Sequence, residues 1–375
     1  MNYQQFVSPK TLLYQFSEPL KLESGDVLMG VQVAYRTWGN LNPMRDNAIL
    51  VCHALTGWAD VDDWWEALLG SGRSLDPDHD FIICSNILGS CYGTTGPTSL
   101  NPITGVAYGA NFPPITVRDM VRLQAALLEA LQVRSLQLVI GGSLGGMQAL
   151  EWAVLYPEKV RAIAVIAASG RHSAWCIGLN EAQRQAIYAD PNWQDGNYKP
   201  DHPPTQGLAV ARMIAMSTYR SWASFAERFG RQIQPSQDTE QFAIVDYLHY
   251  QGQKLVERFD ANTYVVLTHA MDAYDLARSN QSYEAILQSI QQPTLVVAIS
   301  SDILYPPVEQ EELAAWIPNA ELKCLESSQG HDAFLIDTEV LNRLVVHFRE
   351  TQRGAIATPL PADSQFKKML LSSDR

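Results

Sequence analysis

Leu138-Val139-Ile140-Gly141-Gly142-Ser143-Leu144-Gly145-Gly146-Met147 decides how this chain is read. An apolar strand candidate, 136–140, runs into a glycine-rich turn, and 147–155 follows with a helical pattern. Between them the pattern G-x-S-x-G falls at Gly141, Ser143 and Gly145. Strand, sharp turn and helix form the context in which such a serine is a nucleophile. The turn is strained, the hydroxyl projects, and the glycines let strand and helix backbones approach without Cβ clashes. The helix start also brings the positive end of its dipole toward the serine oxygen. Without those flanks, a Gly-Ser-Gly cluster is an ordinary turn.

Outward from this point, further short apolar runs at 48–52, 81–84, 162–168 and 294–299 read as strands. Their near-continuous apolarity implies burial on both faces, as in a parallel sheet. A helix is expected over 116–133, with Val117, Met120, Val121, Leu128 and Leu131 on one stripe behind a Thr116 N-cap. Strands alternating with helices predict a doubly wound, mostly parallel α/β sheet. From about 170 to 289 the alternation stops, and Trp, Tyr, Met, Arg and Gln recur at helical spacing with no convincing strand. The expected organisation is a core (1–169), an inserted helical lid (170–289), the rest of the core (290–352), closed by an amphipathic segment at 340–348, and a polar, poorly ordered tail (353–375).

A serine hydroxyl is a weak nucleophile and needs a base, and the base needs an acceptor to fix its tautomer. In a sheet of this kind the acid follows a late strand and the histidine follows the acid. Asp302 stands just past the strand candidate 294–299, and His331 lies in the Gly-containing loop Ser328-Gln329-Gly330-His331-Asp332. Six of the other histidines precede the acid, and His347 lies in the closing segment. Asp332 and Asp337 are rival acids, but both follow the histidine. For the developing oxyanion the expected donors are the amides of Leu144, next to the nucleophile, and of Leu55, in the loop after the first buried strand.

Composition narrows the partners. There are 27 Lys and Arg against 40 Asp and Glu, a formal net charge of −13, which opposes binding to nucleic acid or anionic membranes. No apolar run approaches the roughly 18 residues of a membrane span, and the N-terminus lacks a signal-peptide pattern. Five cysteines without paired spacing suit a reducing compartment. No metal-ligand spacing, P-loop or dinucleotide fingerprint is present, so no metal and no permanently bound cofactor is expected.

The motifs His53-Ala54-Leu55-Thr56-Gly57, 93–102 and 112–121, the elbow 141–148, Ala211-Arg212-Met213-Ile214 and Gly330-His331-Asp332-Ala333-Phe334-Leu335 together resemble the homoserine O-acetyltransferases of the α/β-hydrolase fold. The likeness runs to about residue 350. It implies that Ser143 takes an acetyl group from acetyl-CoA and passes it to the side-chain hydroxyl of L-homoserine, with His331 as base and then acid. It further implies that Arg212 holds the homoserine carboxylate and Asp332 its ammonium, and it points to a cytoplasmic enzyme of methionine biosynthesis. Tyr219, within two turns of Arg212, is expected to face the same cleft. Family members commonly carry Met where this chain has Leu144; because the contact there is made by the backbone, the change leaves the chemistry intact.

Several alternatives stay open at this level. Succinyl could replace acetyl as the donor group, given a cation for its carboxylate, and Arg171, Arg220, Arg228 and Arg231 are the candidates. Serine could replace homoserine as acceptor. An esterase or thioesterase on the same fold, or a non-catalytic binding protein, are the readings from other classes. The apolar, aromatic helices of the insert are also expected to form a homodimer interface.

Overall fold

The structure, a computed structural model, describes residues 7–235, 240–277 and 281–356. Eight strands form one sheet: β1 (Leu12–Gln15), β2 (Gln32–Trp38), β3 (Ala48–Cys52), β4 (Phe81–Ser85), β5 (Leu136–Gly142), β6 (Ile163–Ile166), β7 (Thr294–Ile299) and β8 (Ala320–Leu325). Their order is β1-β2-β4-β3-β5-β6-β7-β8, with β1 and β2 antiparallel to their neighbours and every other pairing parallel. The expected doubly wound sheet is therefore present.

Alternation along the strands divides the interior. Leu50 and Cys52 of β3 and Val139 of β5 join one apolar cluster, while Ile49, Val51, Leu138 and Ile140 join a second on the opposite face. Both faces are covered, which is why these strands carry no polar alternation.

The helices that flank the elbow are α1 (Val117–Ala130) and α2 (Leu144–Leu155). The Thr116 hydroxyl accepts the Asp119 amide at 3.2 Å, and the Asp119 carboxylate accepts the Thr116 amide at 3.0 Å, a reciprocal capping box. The helix ends at Ala130, three residues short of its expected limit, and β6 stops at Ile166 because Ala167 turns to a φ of 46°.

Between β6 and β7 lie α3 (Ala174–Tyr188), α4 (Thr205–Tyr219), α5 (Trp222–Arg228), α6 (Ala243–Val256), α7 (Ala261–Asp272) and α8 (Tyr283–Gln288). This segment also contains a small antiparallel ribbon, Ile233–Pro235 with Glu240–Phe242, so the strand-free expectation for it is corrected. The ribbon is three residues per strand, below the length at which alternation can be read. At the base of the insertion the chain leaves and returns side by side: the His172 amide donates to the Tyr274 carbonyl at 2.9 Å and the Leu276 amide to the Gly170 carbonyl at 3.0 Å.

The fold closes with α9 (Pro307–Trp316) and α10 (Thr338–Ile356). The closing helix thus runs on into the start of the expected tail; residues 357–375, the rest of that tail, lie outside the described residues.

Candidate active site

Ser143 caps α2 with φ 57° and ψ −125°, a conformation that costs an L-residue about 1–3 kcal/mol and persists only when its surroundings enforce it. They do so on three sides. The Ser143 amide donates to the Ile166 carbonyl of β6 at 2.9 Å, and its carbonyl accepts the Gly146 amide at 2.8 Å. A Cβ on Gly145 would lie 2.0 Å from the Cys52 carbonyl oxygen, and one on Gly141 would lie 2.4 Å from the Gly145 carbonyl group. The strand–turn–helix crossing is closed to any larger residue. Leu144, first residue of α2, carries one of the amides that have no partner within a helix.

The 53–57 loop is fixed against this elbow. The Gly57 amide closes a turn onto the Ala54 carbonyl at 2.9 Å. Nδ1–H of His53 donates to that same carbonyl at 2.8 Å, and its Nε2 accepts the Ile87 amide at 3.2 Å. Burial pushes the His53 ring down to about 4, against the raising effect of its bond to Ala54, so this histidine is a neutral structural tie. Gln148 of α2 donates to the carbonyls of His53 and Leu144 at 3.3 and 3.2 Å and accepts from Gln124, which in turn accepts the Trp152 indole N–H. From the core side of the insert, Arg258 donates to the Thr56 carbonyl at 2.8 Å. Leu55, buried, sits within this turn.

Asp302 follows β7. One of its oxygens accepts the amides of Leu304 and Tyr305 at 2.8 and 2.9 Å, and the other lies 2.6 Å from Nδ1 of His331. Both residues are buried. The imidazole is walled by the rings of Tyr305, Phe334 and Tyr219, with centroids 5.3, 5.5 and 5.8 Å away. Burial opposes charging of His331, but the Asp302 carboxylate, and then Asp332, outweigh it and hold the ring above its ordinary value. Phe334 also fills the space beside Gly142, where a Cβ would come within 2.7 Å of its ring, so the elbow and the histidine loop share one wall.

Arg212 and Asp332 flank this histidine. The Arg212 guanidinium lies 5.3 Å over the Tyr219 ring, and Tyr219 faces His331. Burial raises the Asp332 carboxyl, an effect moderated by the charges of Arg212, His331 and Arg220. The structure therefore brings Arg212, Tyr219, His331 and Asp332 into one neighbourhood.

Sequence reasoning missed Tyr305 and gave Phe334 no role beyond its place in the histidine-loop motif. Tyr305 packs on His331, and its hydroxyl bonds His172 at 3.0 Å; its only sequence signal is its spacing three residues after Asp302, which lets the backbone fold onto that carboxylate. The four arginines considered for a second carboxylate all have partners. Arg171 pairs with Glu312 at 3.2 Å, Arg220 bonds Ser224 and Gln329, Arg228 lies over Phe229 and Tyr247, and Arg231 lies over Phe242. Among the described residues no cluster of His, Cys, Asp or Glu is arranged to hold a metal ion, and no helix is long and apolar enough to cross a membrane.

A sheet in this strand order, with a strained serine on the turn after its fifth strand, is the α/β-hydrolase fold, and residues 47–338 match the family profile of that description. A homoserine O-acetyltransferase of Nostoc punctiforme is 69% identical over 350 residues, covering 92% of this chain and 98% of the relative. The crystal structure of a homoserine O-acetyltransferase from Bacillus anthracis superposes with a TM-score of 0.84 at 26% identity, over 91% of this chain and 97% of that one. The esterase E22 is also similar, with a TM-score of 0.83 at 26% identity over 90% of this chain and 99% of its own. Within the α/β-hydrolase fold, the chain belongs to the homoserine O-acetyltransferase family.

Proposed function

We propose that this protein transfers the acetyl group of acetyl-CoA to the hydroxyl of L-homoserine through an acyl-enzyme on Ser143, supplying O-acetyl-L-homoserine for methionine biosynthesis. The observation that carries this reading over a plain esterase is the grouping around the base. Arg212 stacks on Tyr219, Tyr219 faces His331, and Asp332 follows His331. An α-amino acid presents a carboxylate and an ammonium, and a guanidinium with a carboxylate beside the base grips both ends.

In the first half-reaction Nε2 of His331 takes the Ser143 proton as the serine oxygen attacks the thioester carbonyl. The amides of Leu144 and Leu55 stabilise the oxyanion, and the C–S bond breaks with the thiolate taking the proton from His331. In the second half His331 takes the homoserine hydroxyl proton, the alkoxide attacks the acyl-serine, and the proton returns to Ser143. Asp302 holds the Nδ1–H tautomer and stabilises the imidazolium that forms in each half. Helices α3 to α8, within the expected lid 170–289, act as a cover that keeps water from the acyl-enzyme.

Acetyl is favoured over succinyl by the relatives, which are homoserine O-acetyltransferases, and by the engagement of two of the four candidate cations, Arg171 with Glu312 and Arg220 with Ser224 and Gln329. A cytoplasmic homodimer is the proposed assembly, formed through the exposed apolar side chains of the insert, Val210, Trp222 and Tyr250.

The test is thiol release from acetyl-CoA by the full chain, with and without L-homoserine, beside succinyl-CoA, L-serine and the Ser143→Ala variant. Release that continues beyond the single thiol per enzyme of the acylation step only when homoserine is present, with all release lost in the variant, supports the proposal. Equal release without acceptor makes the protein a thioesterase, and activity only with succinyl-CoA or only with serine replaces the substrate assignment.

A further inference from the structure

The insert also grips the segment of core that carries the base. At the junction of α4 and α5, the Ser221 hydroxyl donates to the Ser328 carbonyl, and the Arg220 guanidinium donates to Oε1 of Gln329. Ser224 completes the arrangement. Its hydroxyl accepts from Arg220 Nε and Nη2 at 3.2 and 2.7 Å and donates to the same Gln329 oxygen at 3.2 Å. From the core side, the Gln329 amide donates to Ser327 Oγ and the Gly330 amide to Ser301 Oγ, both at 2.9 Å.

Contact between the two segments is close. Gly330 has a φ of 74°, and a Cβ there would lie 2.5 Å from the Ser221 nitrogen and 2.7 Å from the Arg220 carbonyl carbon. Only glycine combines that backbone angle with that approach. The residue that follows is His331, and the residue before Arg220 is Tyr219, whose ring faces the imidazole.

We infer that Arg220 and Gln329 are positioning residues for the transfer reaction, a side-chain clamp that sets the height of His331 between Asp302 and the nucleophile; the inference rests on reading His331 as the base. Asp302 holds the imidazole at Nδ1 alone, which leaves the ring's displacement along the loop to be fixed by the backbone at 328–330. The clamp fixes that backbone from the insert. Because Arg220 and Tyr219 are adjacent, the same junction that faces the base also holds its loop, so a shift of α4 moves both together. Misplacement of a reacting group by about 1 Å can lower a rate by roughly 100-fold, and partial loosening of one anchor is expected to cost less.

The experiment measures kcat and the KM for homoserine in Arg220→Ala, Gln329→Ala, the double variant and Gln329→Glu, with thermal unfolding of each as a control on folding. Each single alanine variant should lower kcat roughly tenfold with the homoserine KM little changed, the double variant should be no slower than the worse single, and Gln329→Glu, which restores an acceptor for Arg220, should recover most of the rate. Unchanged kcat, additive losses, or an effect confined to KM would overturn the clamp; the last would mean that Arg220 acts through its charge on Asp332. His331→Gln keeps the two questions apart: if it is active, the base assignment fails; if it is inactive while the clamp variants match wild type, only the clamp fails.

Discussion

Nδ1 of His331 and Oδ2 of Asp302 are 2.6 Å apart, and the second oxygen of that carboxylate is fully occupied by the amides of Leu304 and Tyr305. The carboxylate therefore cannot turn away from the ring without breaking two backbone bonds. Burial acts against a charged imidazole, and Asp302, assisted by Asp332, reverses the balance and raises it. A base works only when neutral, so kcat/KM should fall on the acid side through an apparent pKa above the ordinary histidine value of about 6.5. A pH profile of kcat/KM, measured with the varied substrate well below its KM, checks this; an acid limb below that value would mean that another group controls it.

Replacing Asp302 by Asn removes the attraction and leaves burial to dominate. The acid limb should then move to lower pH, in the direction opposite to the wild-type shift, while the rate falls by up to about 10⁴ because the tautomer is no longer enforced. If the limb stays where it is in this variant, it does not belong to His331.

Arg212→Ala should weaken the acceptor half of the reaction and spare the donor half. Loss of a charge-assisted contact of about 2–3 kcal/mol corresponds to roughly 30- to 150-fold in kcat/KM for homoserine. Single-turnover thiol release from acetyl-CoA without acceptor, followed by rapid quench, should stay near wild type. Equal losses in both halves would assign Arg212 to folding of the insert instead.

Two glycine-to-alanine changes should have opposite signs. At Gly145 the new methyl carbon meets the Cys52 carbonyl oxygen at 2.0 Å, so Gly145→Ala should destabilise by at least 1–3 kcal/mol, roughly the cost of overpacking a core, and abolish activity. At Gly178, on the exposed side of α3, nothing lies within 4 Å, and Gly178→Ala should stabilise by about 0.5–1 kcal/mol without changing kcat. Thermal unfolding of the two variants beside wild type tests both.

What could be read from the sequence was what local chemistry encodes. The elbow is legible because strand, glycines, serine and helix are contiguous, and β3 and β7 match their expected limits because both faces of each are buried. β8 escaped notice because it is an edge strand: Ala-Glu-Leu-Lys-Cys-Leu keeps only its last residue buried and reads as surface. β1, at the opposite edge, escaped for the same reason. Asp302 and His331 were found by chain order, but nothing in the sequence announces that Tyr305 packs on the imidazole or that Gln329 meets Arg220. Those contacts join segments far apart in the chain and exist only once the insert is folded onto the core.

The insertion leaves and rejoins the core through paired backbone at Gly170–Leu276 and His172–Tyr274, beside strands β6 and β7, which are themselves neighbours. A segment with both ends at one point can be lengthened, trimmed or exchanged without removing a single rung of the sheet or disturbing the crossing at Gly145. The sheet and the serine crossing are thus a fixed socket, but the insert is held to it at the reacting groups, because Arg220 and Ser221 bond the loop that carries His331 and Arg258 bonds the loop at Thr56. Changing the compound such a protein accepts therefore calls for redesign of one contiguous piece of chain in which those three anchors are kept.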